Sequence, residues 1–205
     1  MSRDVEGTRR RIAAAGLAEF AEHGQHGTTV ERIATRAGVN KERVYAHFGD
    51  KTTLFTALVR EQVDAIAAAV PLVVDGADDV GSFAGASFDY QLAHPDLARL
   101  LVWEGMADAG AVPQEASRGE LYRAKVDAVA TAQRRGVIDN GIEAAHLVFM
   151  VLALASWWSV SPHVARMLAG PGGKDDAHRR ASVVEAATRL ATPRPRPGLM
   201  TAVEG

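Results

Sequence analysis

The chain has no cysteine among its 205 residues. That excludes a disulfide framework and any thiolate metal site, and it suits a reducing, cytoplasmic setting. Long apolar runs are missing too. The longest, residues 144–160, is interrupted by His146 and two serines and falls short of the roughly 20 residues a membrane span needs. It reads as a buried helix, with no membrane partner. Arg9, Arg10 and Arg11 are not followed by an apolar stretch, so the pattern of a signal peptide is absent. No segment alternates apolar and polar residues as a strand does, and no internal repeat occurs.

Catalytic signatures are likewise missing. There is no His-Glu-x-x-His, no Gly-x-Ser-x-Gly and no phosphate-cradling glycine loop. His23 and His26 straddle a helix end, and His94, His146, His163 and His178 have no carboxylate at ligand spacing. The reading is of a chain with no catalytic residues, no metal and no cofactor. Gly81-x-x-x-Gly85 and the run Gly170-Pro171-Gly172-Gly173 lack a strand before them and carry no phosphate-site meaning.

Lysine is scarce as well, far outnumbered by arginine. Net charge is −2, which alone says nothing about nucleic acid. Its distribution says more. Residues 1–60 hold ten Lys/Arg against seven Asp/Glu, and the remainder holds thirteen against eighteen. A basic N-terminal module on an acidic body fits a nucleic-acid-binding end.

That end is also where the pattern is densest. In TTVERIATRAGVNKERVYAHFGDKTTLF, residues 28–55, Thr28 and Glu31 form a capping box. Val30, Ile33, Ala34 and Ala37 follow as one apolar stripe. Gly38 stops that helix, because only glycine takes a left-handed conformation cheaply. Asn40 caps a second helix, which turns Val44 and Phe48 inward and leaves Lys41, Arg43 and His47 on or near the outer face. Two short helices around a glycine turn, the second polar and basic outside, describe a helix-turn-helix.

Upstream, RRRIAAAGLAEFAEHG predicts a first helix over 8–23, after a mobile start at 1–7. With TTVERIATRAGVN and VYAHFGDKTTLF it closely resembles the DNA-binding domain of the TetR family of bacterial transcriptional regulators. The spacing Tyr45-x-His47-Phe48-x-x-Lys51 is the most specific part. The resemblance covers the first quarter to third of the chain. It implies base reading by Asn40, Lys41, Glu42 and Arg43, with Ala46 as a further candidate. It implies phosphate contacts from Thr29, Tyr45, His47 and Lys51. Glu42 departs from the family, where a small residue is commoner; it either accepts from cytosine or pairs with Arg43. Arg9 to Arg11 either reach a phosphate or only solvate the first helix.

Beyond residue 50 the periodicity predicts helices over 50–70, 82–93, 96–106, 113–135, 143–159, 164–168 and 175–190, with Pro171-Gly172-Gly173 as a loop. The expected fold is all-α. A three-helix DNA-binding domain spans 1–50, a helical ligand-binding and dimerisation domain 51–191, and a disordered, proline-rich tail 192–205. The resemblance implies a small-molecule pocket in the body. Phe88, Trp103, Met106, Tyr122, Phe149, Met150 and Trp157 are its candidate lining, though each taken singly also reads as core. Few fixed charges there favour an uncharged, lipophilic ligand. The last two long helices carry apolar surface for a homodimer, with Val183, Val184, Ala187 and Leu190 at the interface. The expected partners are double-stranded, palindromic operator DNA and a small effector. A ligand-independent architectural protein and an activator are the alternatives.

Overall fold

The computed structural model describes residues 2–106, 115–170 and 175–194, the side chains of 2–4 and 169 excepted. The described residues form ten helices and no strand: α1 (Ser2–Gly27), α2 (Val30–Ala37), α3 (Lys41–Phe48), α4 (Lys51–Ala69), α5 (Ala77–Ala93), α6 (Pro95–Met106), α7 (Glu115–Arg135), α8 (Ala144–Val160), α9 (Pro162–Ala169) and α10 (Asp176–Ala191). The all-α expectation holds. The loop expected at 171–173 and the tail beyond 194 lie outside the described residues.

Helix α1 differs from its expected span at both ends. It already begins at Ser2, where a mobile start was expected, and it continues past His23 across a kink at Gly24, whose φ is 69°. The α2 cap also differs by one residue. Thr29, not Thr28, accepts from the Arg32 amide at 3.3 Å. Thr28 is buried, and its hydroxyl donates to Glu19 at 2.9 Å. Gly38 closes α2 in the left-handed region, and the Val39 amide reaches back to the Ala34 carbonyl at 3.0 Å. Asn40 and Asp50 cap α3 and α4 as expected.

Two apolar cores result. The first gathers Ile12, Phe20, Ile33, Val44 and Phe48 with Leu54, Phe55, Leu58, Val59 and Val63 of α4. Leu100 of α6 belongs to it too. The second lies among α5, α7, α8 and α10 and holds Phe83, Phe88, Val129, Leu147, Val151, Val183 and Ala187.

Gly81 and Gly85 gain a meaning they lacked in the sequence. They let α10 cross α5 at close range. A Cβ on Gly85 would stand 2.7 Å from Val184 Cγ2, closer than packed carbons approach. Arg180 Nε donates to both carboxylate oxygens of Asp89 beside that crossing, at 2.9 and 2.7 Å.

This packing takes Val183 and Ala187, two of the four residues expected at the dimer surface, out of reach of a second protomer. Val183 and Ala187 are 2 % and 0 % exposed, inside the protomer's own core. Val184 faces α5. Leu190 is half-buried against the second core. The apolar stripe of α10 was legible, but at Val183, Val184 and Ala187 its partner lies within the same chain.

Candidate nucleic-acid interface and ligand cavity

The outer face of α3 presents Lys41, Glu42, Arg43, Tyr45 and Ala46, all exposed, above the buried Val44 and Phe48. Asn40 Oδ1 accepts from the Arg43 amide at 3.1 Å, which fixes where the helix begins. Lys41 Nζ lies 3.8 Å from Glu31 Oε1, an exposed pair of little energetic weight. Glu42 forms no ion pair among the described residues, so the pairing with Arg43 that the sequence left open does not occur. The Arg43 guanidinium stands free among them as well. His47 is half-buried, its ring 6.5 Å from Phe48. The Arg9 guanidinium stacks over Phe48 at 5.1 Å, which places the first of the three arginines beside α3.

Lys51 is more constrained than its expected role required. Its Nζ donates to the Thr28 carbonyl at 2.9 Å, tying the start of α4 to the turn before α2. An ammonium has three donors, so two remain for an outside oxygen. Thr29 is exposed at the α2 N-terminus, where amide groups and the helix dipole favour an anion.

Behind this face sits an anchor that sequence reasoning missed. Glu19, 5 % exposed, accepts from Thr28, from Arg32 Nε at 2.9 Å and from Arg36 at 3.1 Å. Burial alone would raise its carboxyl pKa. Hydrogen bonds from Arg32, Thr28 and Arg36 outweigh that and lower it to about 2. The available signal was a glutamate next to Phe20 on an inward face, with two arginines four apart on the following helix. Glu19, Glu22 and His23 also lie close enough to share a cation. Their oxygens, however, are already taken by the Arg32 and Arg36 guanidiniums.

The second feature is a cavity of about 710 Å3 between α4, α5, α6, α7 and α8, within the usual range for small-molecule sites. Of the seven expected lining residues, Tyr122, Phe149 and Trp157 line it. Phe88 is core, at 3 % exposure. Met106 is exposed at the end of α6, and Met150 is half-buried on another face of α8. Trp103 is turned away entirely. Its indole Nε1 donates to the Ala21 carbonyl of α1 at 3.4 Å. All four lie on amphipathic helices, and the apolar pattern cannot tell which of two covered faces adjoins a void.

The sequence reading also missed the polar lining. Phe83, Ser87 and Gln91 follow one another at four-residue steps along α5 and all face the cavity. Ser87 and Gln91 on an otherwise apolar stripe were the available signal. Ser156 donates its one proton to the Leu152 carbonyl at 2.6 Å, so it can only accept from Gln91 Nε2, at 2.7 Å. Gln91 Oε1 is thereby left buried without a partner, a costly arrangement. Among the described residues, Lys125 of α7 is the one charged side chain in the lining.

Two helices join cavity to interface. Val63 of α4 lines the cavity and belongs to the first core. On α6, Leu97 and Leu101 line the cavity, while Leu100 enters the first core. The connection between cavity and interface thus runs through α6 as well as α4.

Among the described residues, no single helix is long and apolar enough to cross a membrane. Residues 12–58 match the model of the bacterial regulatory proteins of the tetR family, and 79–189 match that of the tetracyclin repressor-like C-terminal domain. The chain is 41 % identical to the HTH-type transcriptional repressor SCO4008 of Streptomyces coelicolor, over 92 % of this chain and 97 % of that one. The solved structure of SCO4942 from the same species has a TM-score of 0.76 at 33 % identity, covering 93 % of this chain and 99 % of that one. FadR from Bacillus subtilis, solved in complex with stearoyl-CoA, shares the fold with a TM-score of 0.69 at 17 % identity, covering 88 % and 98 %. A helix-turn-helix with an exposed α3, a helical body behind it and relatives matched nearly end to end lead to one conclusion: the chain belongs to the TetR family of bacterial regulatory proteins and is a DNA-binding transcriptional regulator.

Proposed function

We propose that the protein is a homodimeric repressor that holds a palindromic operator through α3 of each protomer and releases it when a lipophilic small molecule fills the cavity. The observation that carries this reading is the sharing of α4 and α6 between the cavity wall and the first core. Repression is the activity named for the relative 41 % identical to this chain. FadR, which shares the fold, was solved in complex with stearoyl-CoA, and the 710 Å3 cavity here is walled mostly by aliphatic and aromatic side chains. A ligand-independent architectural protein would be expected to have a filled body.

The base contacts are Asn40, Lys41, Arg43 and Glu42, the last as an acceptor for cytosine N4. Thr29, Tyr45, His47 and Lys51 hold phosphates, with Arg9 beside them. Dimerisation supplies the second half-site, one DNA turn or about 34–36 Å away. Its surface is the face of α8 turned from the cavity, Met150 and Leu154, with Ala186 and Leu190 of α10. All four are half-buried in the single chain. A ligand that pushes Leu97 and Leu101 moves α6, and with it Trp103 on the end of α1.

Coupling is the test. A ligand that releases DNA must bind the DNA-incompetent state more tightly, and operator must weaken ligand binding by the same factor, typically 5–150-fold. Trp103→Ala leaves the cavity lining intact, so it should keep ligand affinity and shrink that factor. A Trp103→Ala protein with full coupling would reject the α6 route. A cavity ligand with no effect on operator affinity would reject the switch.

A further inference from the structure

We propose that the cavity's ligand is an amphipathic anion whose acid group pairs with Lys125. This rests on the cavity being the effector site and narrows the chemistry that the site accepts.

Among the described residues, Lys125 is the only charged one that lines the cavity. Its Nζ donates to the Val70 carbonyl at a long 3.4 Å and lies 5.1 Å over the Phe83 ring. Among the described residues no carboxylate reaches it. A carbonyl dipole and a ring face compensate an ammonium less than an anion does. Burial accordingly lowers the pKa of Lys125, so these contacts do not recover the whole cost of charging it. Among the described residues, one of its three donors has a hydrogen-bond partner.

The position of this cation sets the ligand's polarity. Phe83, Ser87 and Gln91 step along α5 by two helical turns, about 12 Å in all. Lys125 stands over Phe83 at one end, and Gln91 with Ser156 stands at the other. The far end offers only neutral groups, an amide and a hydroxyl. Leu121, Val126, Val148 and Leu152 are among the apolar side chains that make up the rest of the lining. A ligand with one acid end and an apolar body fits this gradient. A cationic ligand meets Lys125 with no carboxylate among the described lining residues to offset it. An uncharged one leaves the ammonium as it is.

The experiment is calorimetric titration of the full-length protein with two matched sets. One is decanoate, decan-1-ol and decylammonium; the other is 2-naphthylacetate, 2-(2-naphthyl)ethanol and 2-(2-naphthyl)ethylammonium. A charge-assisted pair should make the carboxylate of at least one set bind about tenfold or more tightly than its alcohol. Lys125→Met should erase that preference and leave the alcohol's affinity nearly unchanged, while Lys125→Arg should keep it. Lys125→Met sheds a desolvated charge, so its Tm should equal or exceed that of the wild type, which separates lost pairing from lost fold. An alcohol or ammonium that binds as well as the carboxylate, or a preference that survives Lys125→Met, overturns the anion assignment and leaves the cavity as an effector site. If none of the six binds, the effector-site reading falls together with it.

Discussion

A Cβ on Gly24 would stand 2.7 Å from the indole ring of Trp103. The end of α1 and the end of α6 therefore touch through a position that only glycine fills. Its backbone, at φ 69° and ψ 176°, lies in a region essentially closed to other residues. Gly24→Ala should cost about 1–3 kcal/mol in strain, with a further cost for displacing the indole. Gly7 is the control, since it lies within α1 with nothing within 4 Å of a new Cβ. Gly7→Ala should stabilise by up to about 1 kcal/mol. Thermal unfolding of the two variants should shift in opposite directions.

Glu19 makes the DNA-binding end sensitive to acid. Its folded pKa, about 2, is depressed below its ordinary value of 4.5. The ionised form thus contributes stability that is complete above about pH 4.5 and is lost as pH falls toward 2. Arg32 and Arg36 are substantially exposed, so solvent screens the pairs and the contribution is roughly 2 kcal/mol. Glu19→Gln should lower stability at pH 7 by about 1–3 kcal/mol, because the neutral amide has one acceptor oxygen in place of two and its NH2 group would face a guanidinium, so the charge-assisted bonds from Arg32 and Arg36 cannot both be kept. It should also flatten the decline in Tm between pH 4.5 and 2.

Arg43 and Lys51 should fail in different ways. The Arg43 side chain is unengaged among the described residues, so Arg43→Ala should leave Tm alone, cost about 1–3 kcal/mol of operator affinity and relax one base position. Lys51→Ala should weaken all DNA sequences alike and flatten the salt dependence by about one unit of slope. It also loses the bond to the Thr28 carbonyl, so Tm should fall by the equivalent of about 1 kcal/mol. Operator titrations at three salt concentrations separate the two. Wild-type selectivity in Arg43→Ala would remove it from the base-reading set.

The dimer surface predicts a second contrast. Leu190→Lys puts a charge into the proposed contact of α8 and α10 and should give a monomer of near-native helicity in sedimentation. Val183→Lys instead buries a charge in the protomer's own core and should prevent folding. A dimeric Leu190→Lys protein would move the interface elsewhere.

The N-terminal end was the legible part, because local signals there coincide. The stripe of Val30, Ile33, Ala34 and Ala37, the stop at Gly38 and the caps at Asn40 and Asp50 are short-range features, and the structure keeps each. Side-chain placement in the body depends on long-range packing and was less legible. Val183 and Ala187 have the periodicity of an interface and of a core alike, and only the close crossing at Gly81 and Gly85 decides. Trp103 reads as cavity lining until α6 is seen to pack on α1. Lys125 gives no sequence signal, since a lone lysine on a helix is ordinarily a solvated one. Gln91 and Ser156, 65 residues apart, become one feature only in the folded chain.

The most direct measurement is selection of bound DNA from a random duplex library at 150 mM salt, followed by titration of the enriched sequence. The account predicts a palindrome with half-sites about one helical turn apart, bound at roughly 10−8 to 10−11 M by two protomers and at least 103-fold more tightly than unrelated DNA. A library that yields no consensus, or a single unrepeated half-site bound by one protomer, would contradict it.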